Sequence, residues 1–263
     1  MKTTGHQSLL ALQSYSQGIV PCYLMKLLLF DIDGTLVDTG GTGRGALQAG
    51  MRIAFPEESA RREMPALDLA GATDGGVTRF LFQTFGVPYS VENERHFLGA
   101  YLRILKERLT PPELSPPGGV LAGVTDLLEQ LNAKASATVA LLTGNTRAGA
   151  EVKMAAYTLA HHFDFDCGAY GCDHWDRDQL GPVAVKRATA KKGHAFAENQ
   201  VIVVGDTPKD ISCGKAIGAR TVAVATGGFD REALEAFDPD YVLDDLSDVQ
   251  NTLAILLEEA EKS

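Results

Sequence analysis

Two aspartates stand two residues apart in Phe30-Asp31-Ile32-Asp33-Gly34-Thr35-Leu36, at the end of an apolar run. In open α/β sheets, ligands bind in the crevice outside the carboxyl ends of the strands. A strand that ends in polar turn residues is a common alternative, but two carboxylates there repel each other unless something cationic binds between them. A second pair follows another apolar run, in Val203-Val204-Gly205-Asp206-Thr207-Pro208-Lys209-Asp210. Taken alone, Asp206 reads as a helix N-cap. Beside the first acidic strand end it completes a hard oxygen site of carboxylates and waters, which suits Mg2+ bridging to a phosphate. Leu141-Leu142-Thr143-Gly144-Asn145 gives a third strand end, with a hydroxyl and a glycine turn. A threonine in that position is more often a cap, but next to two acidic strand ends it offers a donor to a phosphate oxygen.

These groups meet only if the strands that carry them are neighbours. Runs rich in branched side chains at 26–32, 137–143, 163–169, 201–205, 221–225 and 241–243 read as strands, and 146–160, 182–193, 208–217 and 246–259 read as helices. Strands that alternate with helices pair in parallel through right-handed crossovers, which predicts a doubly wound α/β sheet with helices on both faces. About 100 residues between the first strand and the second break this alternation and look helical, with no convincing strand. Gly40-Gly41 and the run PPELSPPGG at 111–119 delimit them, and such clusters mark boundaries or hinges. The predicted organisation is therefore a core of 25–41 and 117–263 with a helical domain inserted at 42–116. Residues 1–24 precede the first strand as an extension expected to be poorly ordered.

The three strand ends together resemble the haloacid dehalogenase superfamily, whose motifs read DxDGT, an apolar strand ending in Ser or Thr, a Lys or Arg, and GDxxxD. The resemblance covers Lys26 to about Leu246. It implies a Rossmann-like core with the DxD strand between the Thr strand and the GD strand, and an α-helical cap between the first two motifs. It further implies a phosphatase acting through an aspartyl-phosphate, with Asp31 as nucleophile, Asp33 as general acid and base, and Thr143 holding the phosphoryl group. Asp31, the main-chain carbonyl of Asp33 and Asp206 would bind Mg2+, supported by Asp210. The chemistry is consistent with this: an ionised carboxylate attacks phosphorus without a base, and a second carboxylate can protonate the leaving oxygen and then deprotonate water. The family's usual Lys-Pro is absent. Arg177, in Asp176-Arg177-Asp178-Gln179-Leu180, is the positional match, with Lys186 and the more remote Lys153 as alternatives. An arginine could serve both the nucleophile and a phosphate oxygen.

Gly144, Asn145, Arg44, Thr73, Asp74 and Arg79 are expected to touch the substrate, the last four from or beside the cap; a surface charge or helix cap is the alternative for each. The layout is similar to phosphoglycolate phosphatases. A phosphosugar mutase resembling β-phosphoglucomutase and a phospho-receiving binding module are the competing readings. Asp33 argues against the binding module, which needs no acid for a leaving group.

Composition narrows the classes further. The chain has 263 residues, 45% apolar and 22% charged, as in ordinary soluble globular proteins. Four cysteines fit free thiols in a reducing cytosol better than a disulfide scaffold, and Cys167, Cys172, His174 and Asp176 lack the paired spacing of structural zinc. Gly41-Thr42-Gly43-Arg44-Gly45-Ala46 fits a loose dinucleotide fingerprint but falls too late after the first strand, and His161-His162 reads as a helix-end pair. No signal peptide or membrane span is evident, so a cytoplasmic protein is expected. The formal net charge of −10 disfavours nucleic acid, whereas a small phosphorylated metabolite is the expected partner. Residues 230–262 hold eleven acids against Arg231 and Lys262, so nearly all of that surplus lies behind the last acidic motif.

Overall fold

In a computed structural model, residues 25–110 and 116–257 are described. The expectation for 1–24, Cys22 among them, lies outside these residues. So does part of the proline-rich boundary at 111–119.

The sheet has six parallel strands: β1 (Lys26–Phe30), β4 (Ala137–Thr143), β5 (Ala169–Tyr170), β6 (Val201–Gly205), β7 (Arg220–Val224) and β8 (Tyr241–Leu243), in the order β5-β4-β1-β6-β7-β8. β1 is central, and Phe30 lies opposite Leu141 of β4 and Val204 of β6. This register brings the three motif-bearing strand ends side by side at one edge. β1 is buried on both faces along its whole length, as expected for a strand covered by helices front and back. Leu28 and Phe30 face one apolar cluster and Leu27 and Leu29 the other. The crossovers are α5 (Val124–Asn132), α6 (Arg147–Ala156), α7 (Leu180–Lys192) and α8 (Pro208–Lys215), followed by α9 (Arg231–Glu235) and α10 (Val249–Leu257). This is the doubly wound α/β core that the alternation predicts.

The insertion carries α1 (Thr42–Ala54), α2 (Pro56–Ala60), α3 (Asp74–Phe85) and α4 (Val91–Leu109). In α4 the Ser90 hydroxyl accepts from the Asn93 N–H at 3.1 Å, with Glu92 and Glu94 in the first turn and Lys106 and Arg108 in the last, which matches the helix dipole. Leu47 and Met51 of α1 share an apolar cluster with Phe97, Tyr101 and Leu105 of α4. At Gly50 a Cβ would stand 3.0 Å from the Tyr101 Cα, so the glycine sets how closely the two helices approach.

Two features differ from the sequence pattern. First, the stretch before the helices is not devoid of strand: β2 (Val37–Asp38) pairs antiparallel with β3 (Gly119–Val120), so the chain enters and leaves the insertion through adjacent strands. Two residues are too few for a period-2 signal. Second, 163–169 is not one strand. Asp164 accepts from the Asp166 N–H at 3.3 Å and caps a 3-10 turn at Phe165–Cys167, which leaves only Ala169–Tyr170 paired to β4. The alternation of Phe163 and Phe165 with Asp164 and Asp166 mimics a half-buried strand, but Lys191 and Lys192 hold Asp164 and Arg147 holds Asp166 outside the ladder. Likewise α6 stops at Ala156, and His161-His162 sits in a separate 3-10 turn.

Candidate active site

Asp31 follows β1 directly, and its N–H donates to the Val204 carbonyl at 2.9 Å, so the strand pairing itself fixes the residue. Its carboxylate lies with those of Asp206 and Asp210, each offering an oxygen within 4.8 Å of the others. All three are buried. Burial raises the Asp31 carboxyl to about 6, with Asp210 and Asp33 adding to the rise and Arg177 opposing it. Burial also raises Asp206 to about 8, helped by Asp31 and Asp210 and opposed by the Thr35 hydroxyl, which donates to its Oδ1 at 3.1 Å. Three buried carboxyls facing one guanidinium leave anionic charge uncompensated. Hard oxygens in that arrangement fit a small divalent cation such as Mg2+.

Gly34 makes this approach possible. Its φ is +85°, which a side chain would strain, and a Cβ there would collide with the Asp206 carboxylate. The glycine of the DxDGT sequence therefore lets the turn after β1 pass beside the acid at the end of β6.

Arg177 is buried, with its side chain 5% exposed, and its Nη2 donates to Asp31 Oδ1 at 2.9 Å and also to Asp210 Oδ1. Burial works against its charge, but Asp210 and Asp31 together raise its pKa. Its Nε is buried without a partner. Asp210 is held by its own helix start: Oδ2 accepts from the Thr207 N–H at 3.0 Å and from the Thr207 hydroxyl at 2.6 Å. Both oxygens of Asp210 are thus engaged by protein, whereas neither Asp31 nor Asp206 is so fully occupied. Among the residues expected to ligate metal, Asp210 is better placed to orient Arg177.

Asp33 points elsewhere. Its carboxylate accepts from Lys153 Nζ at 2.7 and 2.5 Å and from Asn145 Nδ2 at 2.8 Å, and its side chain is 41% exposed. The same Asn145 amide donates to Thr143 Oγ1 at 2.9 Å, and Lys153 Nζ donates to Asn145 Oδ1 at 2.6 Å. Lys153 therefore belongs to the site, although the sequence points to it only as the remotest candidate. The signal was present: Gly149, Ala150, Lys153 and Met154 form the buried stripe of α6, where an unpaired lysine is out of place. Helical side chains tilt toward the N-terminus, which lets Lys153 reach back to the strand ends. Arg177 and Lys153 thus divide the work between the two aspartates, while Lys186 is exposed on α7.

The expected substrate contacts separate into two groups. Thr143, Gly144, Asn145, Arg44 and Asp74 line, with Asp31, Asp33, Lys153, Arg177 and Asp206, a cavity of about 240 Å³ between core and cap. Gly41 and Gly43 of the loose fingerprint line it too, at the start of α1. Thr73 and Arg79 do not line it. The Thr73 hydroxyl is spent on capping α3 and on the Trp175 carbonyl, and the Arg79 guanidinium lies 4.4 Å from the centre of the exposed Tyr89 ring, in a separate groove. Their observed contacts are a helix cap for Thr73 and an aromatic ring for Arg79. Burial raises the Asp74 carboxyl to about 6, although it accepts from the Thr146 N–H at 2.7 Å.

The fold and site together define a Rossmann-like α/β protein with paired acids at its central strand ends and a helical insertion beside them. A family model described as HAD-hydrolase-like matches residues 180–249. A Dickeya dadantii protein named a probable phosphatase, IndB, is 26% identical over 89% of this chain and 96% of its own length. A phosphoglycolate phosphatase of Vibrio parahaemolyticus is 26% identical over 88% of this chain and 97% of its own. In fold, a haloacid dehalogenase-like hydrolase from Streptococcus pneumoniae superposes with a TM-score of 0.55 at 18% identity, covering 88% of this chain and 98% of that one. The chain is thus similar in sequence to proteins named as phosphatases and in fold to a haloacid dehalogenase-like hydrolase, and its residues 180–249 match the HAD-hydrolase-like model. No helix among the described residues is long and apolar enough to cross a membrane.

Proposed function

We propose that the chain is a Mg2+-dependent phosphatase that hydrolyses a small phosphomonoester through an aspartyl-phosphate on Asp31. One observation carries this reading: the two aspartates at the end of β1 stand in separate environments. Asp31 faces Arg177 and the buried acids, and Asp33 faces Lys153 and Asn145. A nucleophile and a proton carrier need such a division of surroundings.

Arg177 holds Asp31 Oδ1, which orients the carboxylate in the cavity that both residues line. The Thr143 hydroxyl and the main chain around Gly144 and Asn145 take phosphate oxygens. Attack by Asp31 forms the carboxyl–phosphorus bond as the phosphorus–oxygen ester bond breaks, and Asp33 gives its proton to the departing oxygen. Asp33 then removes a proton from water as the water oxygen displaces the carboxylate, which releases inorganic phosphate and restores Asp31. Lys153 and Asn145 hold Asp33 in place for both transfers. Asp31, Asp206 and the Asp33 carbonyl, braced by Asp210, would hold Mg2+, which when bound offsets the repulsion between nucleophile and phosphate and stabilises the equatorial oxygens. The cap shields these steps from bulk water, with Arg44 lining the cavity on the side of the leaving group.

The relatives named as phosphatases support phosphoester hydrolysis, and the cavity supports a small leaving group. Phosphate release from a panel of phosphomonoesters, with Mg2+ and with EDTA, tests the reading. Hydrolysis of two- to four-carbon phosphoesters is expected, with nucleoside monophosphates turned over at least about tenfold less efficiently because they overfill the pocket. Asp31→Asn should abolish turnover. Appearance of an isomeric phosphosugar without free phosphate would instead identify a mutase, and stable phosphorylation without turnover a receiving module.

A further inference from the structure

Residues 71–75 of the cap run across the loops that follow the strands of the site. The Asp74 N–H donates to the Gly144 carbonyl at 2.7 Å, and its Oδ2 accepts from the Thr146 N–H at 2.7 Å. The Thr73 hydroxyl donates to the Trp175 carbonyl at 2.6 Å and accepts from the Gly76 N–H at 3.0 Å. Its single hydrogen is thereby committed to the core and its lone pair to the start of α3. The two core loops are tied to each other as well, by the Gly171 N–H donating to the Asn145 carbonyl at 2.8 Å.

Three backbones approach one another at this seam because side chains are missing there. A Cβ on Gly144 would collide with the Ala72 carbonyl, one on Gly171 with the Gly144 carbonyl, and one on Gly75 would stand 2.9 Å from the Gly171 carbonyl. The loops so clamped are those that carry the phosphate-facing groups. Thr143 and Asn145 flank Gly144, and Arg177 lies two residues beyond Trp175.

We propose that Thr73 and Asp74 are positioning residues that latch the docked cap onto the 144–146 and 171–175 loops, and so hold Thr143, Asn145 and Arg177 in the geometry that receives the phosphate. For its kinetic consequence this latch rests on the phosphatase reading above; the docking itself does not. If substrate is bound tightly only by the docked form, loss of the latch lowers the docked fraction and weakens apparent affinity in proportion. Saturating substrate restores docking. KM therefore rises while kcat changes little, whereas a merely destabilised protein loses active molecules, and so kcat, at constant KM.

Trp175 is the chain's single tryptophan, and its half-exposed ring lies 6.0 Å from the Arg79 guanidinium of α3, so its exposure changes when the cap moves off the 171–175 loop. Thr73→Val keeps the shape and deletes the hydroxyl, and Thr73→Ser keeps the hydroxyl. Acrylamide quenching of Trp175 is measured beside KM and kcat on the best phosphomonoester, with thermal midpoints for each variant. Thr73→Val is expected to raise the quenching constant about twofold and KM about 5- to 20-fold, with kcat within about threefold, whereas Thr73→Ser matches the parent in all three. Unchanged quenching and KM in Thr73→Val, or a loss of kcat at constant KM with a lowered midpoint, overturns the latch. Should Thr73→Val not fold, Thr73→Ala carries the same comparison. If no phosphomonoester is turned over, the phosphatase reading falls and the quenching comparison alone decides the latch.

Discussion

Asp31 and Asp33 share a strand end, yet their side chains meet different partners, and that separation sets what each is expected to do. Asp33→Asn removes the proton carrier but leaves the Arg177–Asp31 contact in place, so kcat for phosphate release should fall by roughly 10²–10⁴. Residual aspartyl-phosphate, trapped by acid quench, would show that Asp31 still reacts. The buried acids also predict how stability follows pH. Asp31 at about 6 and Asp206 at about 8 titrate above the ordinary carboxyl value near 3.8, so the folded state holds these protons more tightly than the unfolded chain. Their contribution is complete below the unfolded pKa and is lost as pH rises through the folded values. In EDTA the thermal midpoint should therefore decline from about pH 4 to about pH 8, most steeply below pH 6 where both groups titrate. Mg2+ should reverse the decline by binding the ionised carboxylates, adding about 2.7 kcal/mol at a hundredfold excess over its Kd. A flat EDTA profile would show that the acids are not buried without metal.

At the scale of elements, β1 is the member on which the site depends. It pairs with β4 on one side and β6 on the other, so a shift in its seating displaces all three strand ends together. Leu29 is fully buried in the cluster on the face opposite Phe30. Leu29→Ala should cost about 2–5 kcal/mol of stability, read from urea midpoints at constant m. Periodicity made most of these elements legible: β1, β4, β6, β7 and β8 lie where apolar branched runs stand. The segment at 163–169 misled because charged partners on α7, far away in sequence, pulled its aspartates out of the ladder. The β2–β3 ribbon escaped notice because its pairing joins residues on either side of the insertion.

At the scale of the whole molecule, the net charge of −10 is not spread evenly. The acid-rich segment beyond residue 230 includes α9, β8 and α10, and β8 is the edge strand, separated from β1 by β6 and β7. Three strand spacings are about 14 Å, beyond the roughly 8 Å over which exposed charges interact at physiological salt. Replacing Asp244, Asp245 and Asp248 together with Asn should leave kcat/KM for a small phosphoester within about twofold at that ionic strength. A larger gain would mean that the acidic edge repels substrate after all.

What the sequence determined by itself was the inventory. DxDGT, the Thr143 turn and GDTPKD specify carboxylates and a hydroxyl at strand ends, because short-range pattern and turn chemistry are local and readable in order along the chain. Only the tertiary structure decided how these groups are partnered. It assigned Arg177 to Asp31 and Asp210, and Lys153 to Asp33, and it brought the Thr73 hydroxyl to the Trp175 carbonyl. The reason is physical: partner choice for a buried charge depends on which side chains reach the same few ångströms after the sheet has closed. Residues 33 and 153, or 73 and 175, carry no trace of that proximity in their spacing.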